Sequence, residues 1–362
     1  MAKKRQDGEG NIIKRSDGRW QGSLTAHSPD GRSKRVYVYG KTASEVREKL
    51  GALRKEQERG VNLLSDNPTV QQYLANWLEY TVKPEAAPKT YESYEETCRN
   101  RITSYVGSVK LKNLKPEHIQ RMVVQLQERE LSQRSIQYAV GVLSRALNKA
   151  VLHGHIARNP AQHIKPRCDR RQIEPLTQEQ ARVFLDAVAG HRLEPLYRIA
   201  LGLGMRRGEI LALRWSDVDL TAGKLVIRKA KTKAGERTLL LPDKLVKVLQ
   251  AHWAFQQQER RLLDTEWREH GLVFPSEVGT PLLPHNLLRH FKAALKRAGL
   301  PKHIRFHDLR HSCATFLVAQ GVHPRVVMEL LGHSRFSLTM ELYSHVAPET
   351  QREALNGIAD MF

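Results

Sequence analysis

Apolar positions alternate along three short stretches near the start of the chain, then settle into helical spacing for most of the remaining length. Ile12-Ile13-Lys14, Trp20 to Ala26 and Lys34 to Tyr39 have the composition of strands, and Asp17-Gly18 and Asp30-Gly31 supply turns between them. Thr42-Ala43-Ser44-Glu45 has the form of a capping box. It opens a helix with Val46, Leu50 and Leu53 on one stripe, ended by Gly60. The expectation for residues 1–60 is a three-stranded sheet with one covering helix, its open face carrying Arg15, Arg19, Arg35 and aromatic rings.

Asn62 to Pro68 reads as a polar linker. Thr69 then caps a helix with Val70, Tyr73, Leu74, Trp77 and Leu78 at helical spacing. Tyr91, Tyr94, Cys98 and Ile102 mark a second helix. Pro116 begins a third, with Ile119, Met122, Val123 and Leu126, and Ser132 begins the longest, with Ile136, Val140, Leu143, Leu147 and Val151. Residues 66–165, closed by Asn159-Pro160, are therefore predicted to be an all-helical domain. Its basic residues Lys89, Arg99, Arg101, Arg134 and Arg145 are placed to meet phosphates.

Lys165 to Glu174 is a second, basic linker, and Thr177 caps a helix that opens a third domain at 174–362. A mostly apolar helix over Leu196 to Leu203 runs into Gly204-Met205-Arg206-Arg207-Gly208-Glu209. Lys224–Lys229 and Arg237–Leu241 read as a hairpin tipped by Lys231, Lys233 and Gly235. Long helices follow at Lys244–Arg261 and His285–Ala298. A helix then begins near His307, stops at Gly321, and gives way to one opened by Pro324 and closed at Leu331-Gly332. The tail from Pro348 is amphipathic, with Leu355, Ile358, Met361 and Phe362 on one side, and is expected to dock on a neighbouring subunit. The fold class is multidomain and mainly α: a small sheet-plus-helix domain, a helical domain, and a mixed, mainly helical domain with a small hairpin.

Charge narrows the partner. The 362 residues carry a net charge of +21 and a pI near 10.0, which asks for a polyanion, with nucleic acid first and an anionic membrane surface second. No apolar run approaches the roughly 18 residues of a spanning helix, and MAKKRQDGEGN lacks the apolar core of a signal peptide. Residues 1–60 hold 15 Lys and Arg against 8 Asp and Glu, and a basic sheet of this kind can read a DNA groove. Three cysteines, Cys98, Cys168 and Cys313, form no disulfide framework and suit a reducing cytoplasm.

The candidate chemistry gathers late in the chain. His307 and Arg310 are three apart on one helix and share a face; His333 follows the next helix and Tyr343 comes ten residues later. A cation, two imidazoles and a phenol suit an anion and a nucleophile. Arg206 is a cation in apolar surroundings that needs an anion, which Glu209 three residues on partly supplies. His303, His307 and His311, spaced by four, offer a zinc reading. No Glu sits beside His307 as a zinc protease needs, and Pro301 argues that the helix starts too late to align all three.

Four segments together, GLGMRRGEILALRW (202–215), KTKAGERTLLLP (231–242), HDLRHSCATF (307–316) and LGHSRFSLTMELYSH (331–345), resemble the tyrosine recombinase family in its phage-integrase branch. The likeness covers most of the chain. The resemblance makes 1–60 an arm-site-binding domain, 66–165 a core-site-binding domain and 174–362 the catalytic domain. It implies catalysis by Arg206, Lys231, His307, Arg310, His333 and Tyr343, with Glu209 in support. Tyr343 would be the nucleophile that forms a 3′-phosphotyrosyl link, and Lys231 rather than Lys233 the general acid. It implies no cofactor and no metal, and a homotetramer on double-stranded DNA bearing core and arm sites; it leaves open whether an excisionase and a host DNA-bending protein join as accessory partners. Two other readings share some of these residues: a type IB topoisomerase that relaxes DNA, and a DNA-binding protein with a decayed site.

Overall fold

The alternating stretches at the start pair as an antiparallel meander, β1 (Asn11–Lys14), β2 (Trp20–His27) and β3 (Ser33–Gly40), in the order β1-β2-β3. The register sets Ile13 opposite Gln21 and Gln21 opposite Tyr39, with Ser23 opposite Tyr37 and Thr25 opposite Arg35. Period-two alternation sends these residues to one face and Gly22, Leu24 and Ala26 to the other. Helix α1 (Ala43–Glu58) covers the second face through Val46 and Leu50. It lies so close that a Cβ on Gly22 would sit 2.6 Å from Val46 Cγ1, so a side chain there would lift the helix off the sheet. Thr42 caps the helix as its sequence predicts, but Glu45 accepts from the backbone N–H of Lys41 (2.8 Å) and not of Thr42, so the reciprocal half of the capping box is displaced by one residue.

The computed structural model describes residues 11–27, 33–64, 66–168, 174–228 and 236–332. The turn at Asp30-Gly31, the hairpin tip with Lys231 and Lys233, His333, Tyr343 and the tail from Pro348 lie outside the described residues. The chain divides into two units, residues 1–170 and 171–362.

In the first unit, α2 (Val70–Trp77) starts from a full capping box between Thr69 and Gln72 and continues through a π-helical turn into α3 (Lys83–Glu85). Helix α4 (Pro88–Thr97) likewise passes through a π-helical turn into α5 (Thr103–Val106). Helices α6 (Pro116–Glu128) and α7 (Gln133–Leu152) complete the bundle, with Ser132 capping the latter. The apolar stripes meet in a core that includes Leu74, Ile102, Met122 and Leu143. The buried Tyr73 hydroxyl donates to the Ala146 carbonyl at 2.9 Å.

The segment read as a linker is fastened down. Asn62 N–H donates to Gly154 O (2.8 Å), Leu111 N–H to Pro68 O (2.9 Å) and Lys112 N–H to Asn67 Oδ1 (3.1 Å). Leu63 packs on the sheet-domain core. The sheet domain is thus joined to the bundle by a strap with fixed backbone bonds. Polarity alone did not reveal these bonds, because backbone groups of Asn62 and Pro68 and the Asn67 side chain pair with protein groups distant in sequence.

The second unit is built from α8 (Gln178–Ala187), α9 (Glu194–Leu203), α10 (Arg207–Ala212), α11 (Asp243–Leu263), α12 (Pro284–Arg297), α13 (Phe306–Ala319) and α14 (Pro324–Leu331). A small antiparallel sheet accompanies them: β4 (Val218–Asp219), β5 (Lys224–Ile227) and β6 (Arg237–Leu240). The hairpin strands were predicted, whereas the two-residue β4 is too short to leave a periodic signal. Phe184, Tyr197, Phe291 and Phe306 interlock edge-on or tilted at 5.3–6.4 Å between ring centroids and tie α8, α9, α12 and α13 together. This packing fixes α13, and with it His307 and Arg310, against the end of α9.

Candidate active site

Helix α9 ends in a left-handed residue, Gly204 (φ 58°), and α14 ends in another, Gly332 (φ 63°). The two helix ends meet. A Cβ on Gly204 would run into Leu331 Cδ2 and lie 3.2 Å from Cys313 Sγ. Gly204→Ala is expected to destabilise the protein by roughly 2–4 kcal/mol, combining the left-handed backbone penalty with overpacking. Urea unfolding at equilibrium measures this; an unchanged midpoint refutes the close approach.

The last carbonyls of α14 have no partner inside the helix, and three arginines from three other elements bond them in succession. Arg237 Nε donates to Leu330 O (2.7 Å), Arg310 Nη2 to Leu331 O (2.5 Å) and Arg206 Nη2 to Gly332 O (2.5 Å). Arg310 also donates through Nη1 to Gly204 O (2.7 Å), so one guanidinium bonds both helix ends. Arg206 donates through Nη1 to Glu209 Oε1 (2.7 Å), and its backbone N–H to Glu209 Oε2 (3.0 Å). Arg237 reaches the same carboxylate at 3.3 and 3.5 Å. Two guanidiniums thus share one carboxylate and a third is held by carbonyls alone, leaving a surplus of positive charge where the negative end of a helix points.

Burial shapes the protonation of these groups. It works to raise the Glu209 pKa, but the hydrogen bonds from Arg206 and the attraction of Arg237 outweigh it, and the net shift is downward. Glu209 is therefore a carboxylate at neutral pH. Burial, then repulsion from Arg206, lowers Arg310 to about 9, which leaves it cationic at pH 7. Arg310 is 3% exposed, a buried cation held by carbonyl dipoles. Arg206 is the more open member of the clamp, its side chain 29% exposed.

His307 starts α13 one turn before Arg310, edge-on to His311 at 5.0 Å. Protein closing around the ring, with His311 and Arg310 adding positive charge, pushes the His307 pKa down to about 4. The imidazole is therefore neutral at pH 7. His303 lies before the helix and bonds Glu174 (3.1 Å), so the four-residue histidine spacing does not line up on α13. Among the described residues no group of three or more potential ligands could hold a metal ion.

Of the residues the sequence singled out, the structure brings Arg206, Glu209, Arg310 and the end of the Leu331-Gly332 motif to one point, with His307 a turn away on α13. Lys231, His333 and Tyr343 lie outside the described residues. Arg237 was read only as part of a strand. Its signal was a lone cation heading the apolar run Leu239 to Leu241, the same kind of clue that drew attention to Arg206. In the sheet domain, Arg35 lies on the open face with Tyr37 and Tyr39, which are 48% and 45% exposed. Arg15 stacks over Tyr39 at 5.6 Å, and Arg19 stands beside it in the β1–β2 turn, where Arg15 N–H bonds Arg19 O.

Comparison with known proteins gives the class of the chain. The model of the phage integrase family matches residues 172–350, and that of the phage integrase N-terminal SAM-like domain matches 69–127. A tyrosine recombinase XerC-like protein of Caldanaerobacter subterraneus subsp. tengcongensis is 31% identical over 92% of this chain and 93% of its own. Among solved structures, the Tn1549 transposon integrase in complex with transposon right end DNA superimposes with a TM-score of 0.69 at 20% identity, over 80% of this chain and 99% of that one. A lambda integrase tetramer bound to a Holliday junction gives 0.60 at 20% identity, over 90% and 96%. The chain belongs to the phage integrase family and is a tyrosine recombinase.

Proposed function

We propose that this recombinase is the integrase of a phage or other mobile element, and that it breaks and rejoins DNA through a 3′-phosphotyrosyl intermediate. The observation that carries the reading is the placement of Arg206 and Arg310. Residues a hundred positions apart bond the carbonyls of Gly332 and Leu331, the two residues that precede His333. Each guanidinium has five N–H donors, so donors remain for a phosphate beyond those that hold the clamp. In this reading they bind the non-bridging oxygens, where charge grows in the transition state, an interaction worth roughly 3–4 kcal/mol per donor. The Tyr343 oxygen attacks phosphorus, its proton passes to the neutral His307 imidazole, and the P–O5′ bond breaks. Lys231 gives its proton to the departing oxygen, and His333 hydrogen-bonds the phosphate. Glu209 holds Arg206 in place. The new ester retains the energy of the old one, so a partner strand's 5′-hydroxyl can reverse the step. The test is covalent trapping on nicked duplexes taken from DNA flanking the gene, with the linked peptide identified by mass spectrometry. A peptide containing Tyr343 is expected; linkage elsewhere, or none, overturns the reading.

The three-domain arrangement belongs to the same proposal: 1–60 for arm sites, 66–165 for core sites and 174–362 for chemistry, working as a tetramer on paired duplexes. The exposed Tyr37, Tyr39 and Arg35 on an open sheet face support the first assignment. A fragment starting near Leu64 is expected to cleave an isolated core site and to lose a second, distal footprint. Identical footprints from fragment and full chain exclude a separate arm-site reader. The strap adds a consequence. Removing residues 1–63 also removes the Asn62–Gly154 bond, so the fragment's helical domain should melt somewhat lower, by the roughly 1 kcal/mol of one hydrogen bond.

A further inference from the structure

Glu209 is shared. Its side chain is 3% exposed, and it meets Arg206 on one side and Arg237 on the other. Arg237 is nearly as enclosed, its side chain 8% exposed, and it heads β6 six residues after Lys231 in sequence. Arg206 and Glu209 alone would form a neutral pair. A neutral pair in low dielectric attracts a phosphate weakly, because the carboxylate repels what the guanidinium attracts. With Arg237 on the same carboxylate the group of three carries one net positive charge, and Arg310 adds another.

Resting on the phosphate-clamp reading above, we propose that Arg237 is a positioning residue for catalysis. It draws on the charge of Glu209 so that Arg206 stays electrostatically available to the scissile phosphate, and it ties β6 to the Leu330 carbonyl at the end of α14. The geometry matches both tasks. Nε is committed to Leu330 O at 2.7 Å, while both terminal nitrogens face the two Glu209 oxygens at longer range, 3.3 and 3.5 Å. The shorter Arg206–Glu209 bond, 2.7 Å, orients Arg206; the longer pair offsets the carboxylate without displacing it.

A neutral scissile phosphate separates this role from simple bracing. In a methylphosphonate one charged non-bridging oxygen is replaced by a methyl group, so the centre needs less positive charge around it. Arg237→Gln is expected to slow single-turnover cleavage of an ordinary nicked duplex by roughly 100-fold, the scale for losing one electrostatic contribution. On the methylphosphonate the loss should shrink to about 5-fold or less. Equal slowing on both substrates means that Arg237 only braces the fold, and overturns the proposal. Arg237→Lys keeps a cation beside Glu209 and should retain most activity on the ordinary substrate. It also serves if Arg237→Gln does not fold, since a lysine variant as impaired as Arg206→Ala on both substrates likewise overturns it. Arg206→Ala is the control for the underlying reading. If it cleaves normally the clamp itself is wrong, whereas if it is inactive and Arg237→Gln slows both substrates alike, only the role of Arg237 fails.

Discussion

Tyr343→Phe is expected to abolish the covalent DNA adduct while leaving site binding within about threefold of the parent protein, because in the proposed mechanism affinity comes from phosphate contacts spread over two domains and the phenol oxygen contributes little to it. The catalytic unit contains two tyrosines, Tyr197 and Tyr343. Tyr197 is no rival nucleophile: it is 1% exposed, packed between Phe184 and Phe291, and burial pushes its pKa well above the ordinary phenol value. A phenol needs ionisation to attack, and Tyr197 has neither a neighbouring base nor access to DNA among its described contacts. Denaturing gels of nicked suicide substrates read the adduct, and filter or mobility-shift assays read binding. An adduct formed by the Phe protein removes Tyr343 from the mechanism. Loss of binding in parallel with loss of adduct makes the residue part of the DNA interface rather than the chemistry.

Much of the fold was legible because its elements announce themselves locally. Thr69, Ser132 and Thr177 sit at helix starts, Pro116 and Pro324 in first turns, and Gly204 and Gly332 at left-handed ends, each within four residues of the group it serves. The apolar stripes of α2, α6 and α7 were legible for the same reason, since a helix repeats its face every few residues. The candidate site was legible through the order and spacing of its motifs rather than through any single residue. What escaped was long-range and backbone-mediated. Arg237 meets Glu209 across 28 residues and Leu330 across 93, and no local pattern marks either contact. The strap at 62–68 looks like a tether because its residues are polar, while its order comes from backbone bonds to Gly154 and Leu111. Glu45 bonding Lys41 instead of Thr42 is a shift of one residue that depends on where the chain enters the helix, which propensity does not encode.

The site also shows why its cations needed the structure to be understood. Arginine buried beside arginine is costly unless anions or dipoles compensate, and here one carboxylate serves two guanidiniums. The balance comes from the carbonyls of Leu330, Leu331, Gly332 and Gly204. The helix ends therefore act as the counter-charge that lets a surplus of positive charge persist at this point.

With Lys231 as the proposed general acid, Lys231→Ala is expected to slow cleavage of ordinary DNA by roughly 100- to 10,000-fold, the range for losing such a group, or about 2.7–5.4 kcal/mol of barrier. The cause is the leaving group: a 5′-alkoxide departs poorly unless it gains a proton as the P–O bond breaks. Replacing that oxygen with sulfur changes the demand, since a thiol has a pKa of about 8.5, as in cysteine, and leaves readily as the anion. Lys231→Ala is therefore expected to recover most of the parent rate on a 5′-bridging phosphorothiolate. Arg206→Ala should show no such recovery, because its proposed task is to hold the non-bridging oxygens, which the sulfur leaves untouched. Lys233→Ala should cleave both substrates at close to the parent rate. Rescue of Lys233→Ala instead moves the acid two residues along the chain, and rescue of neither lysine variant means that the proton comes from another group and that Lys231 only contacts phosphate.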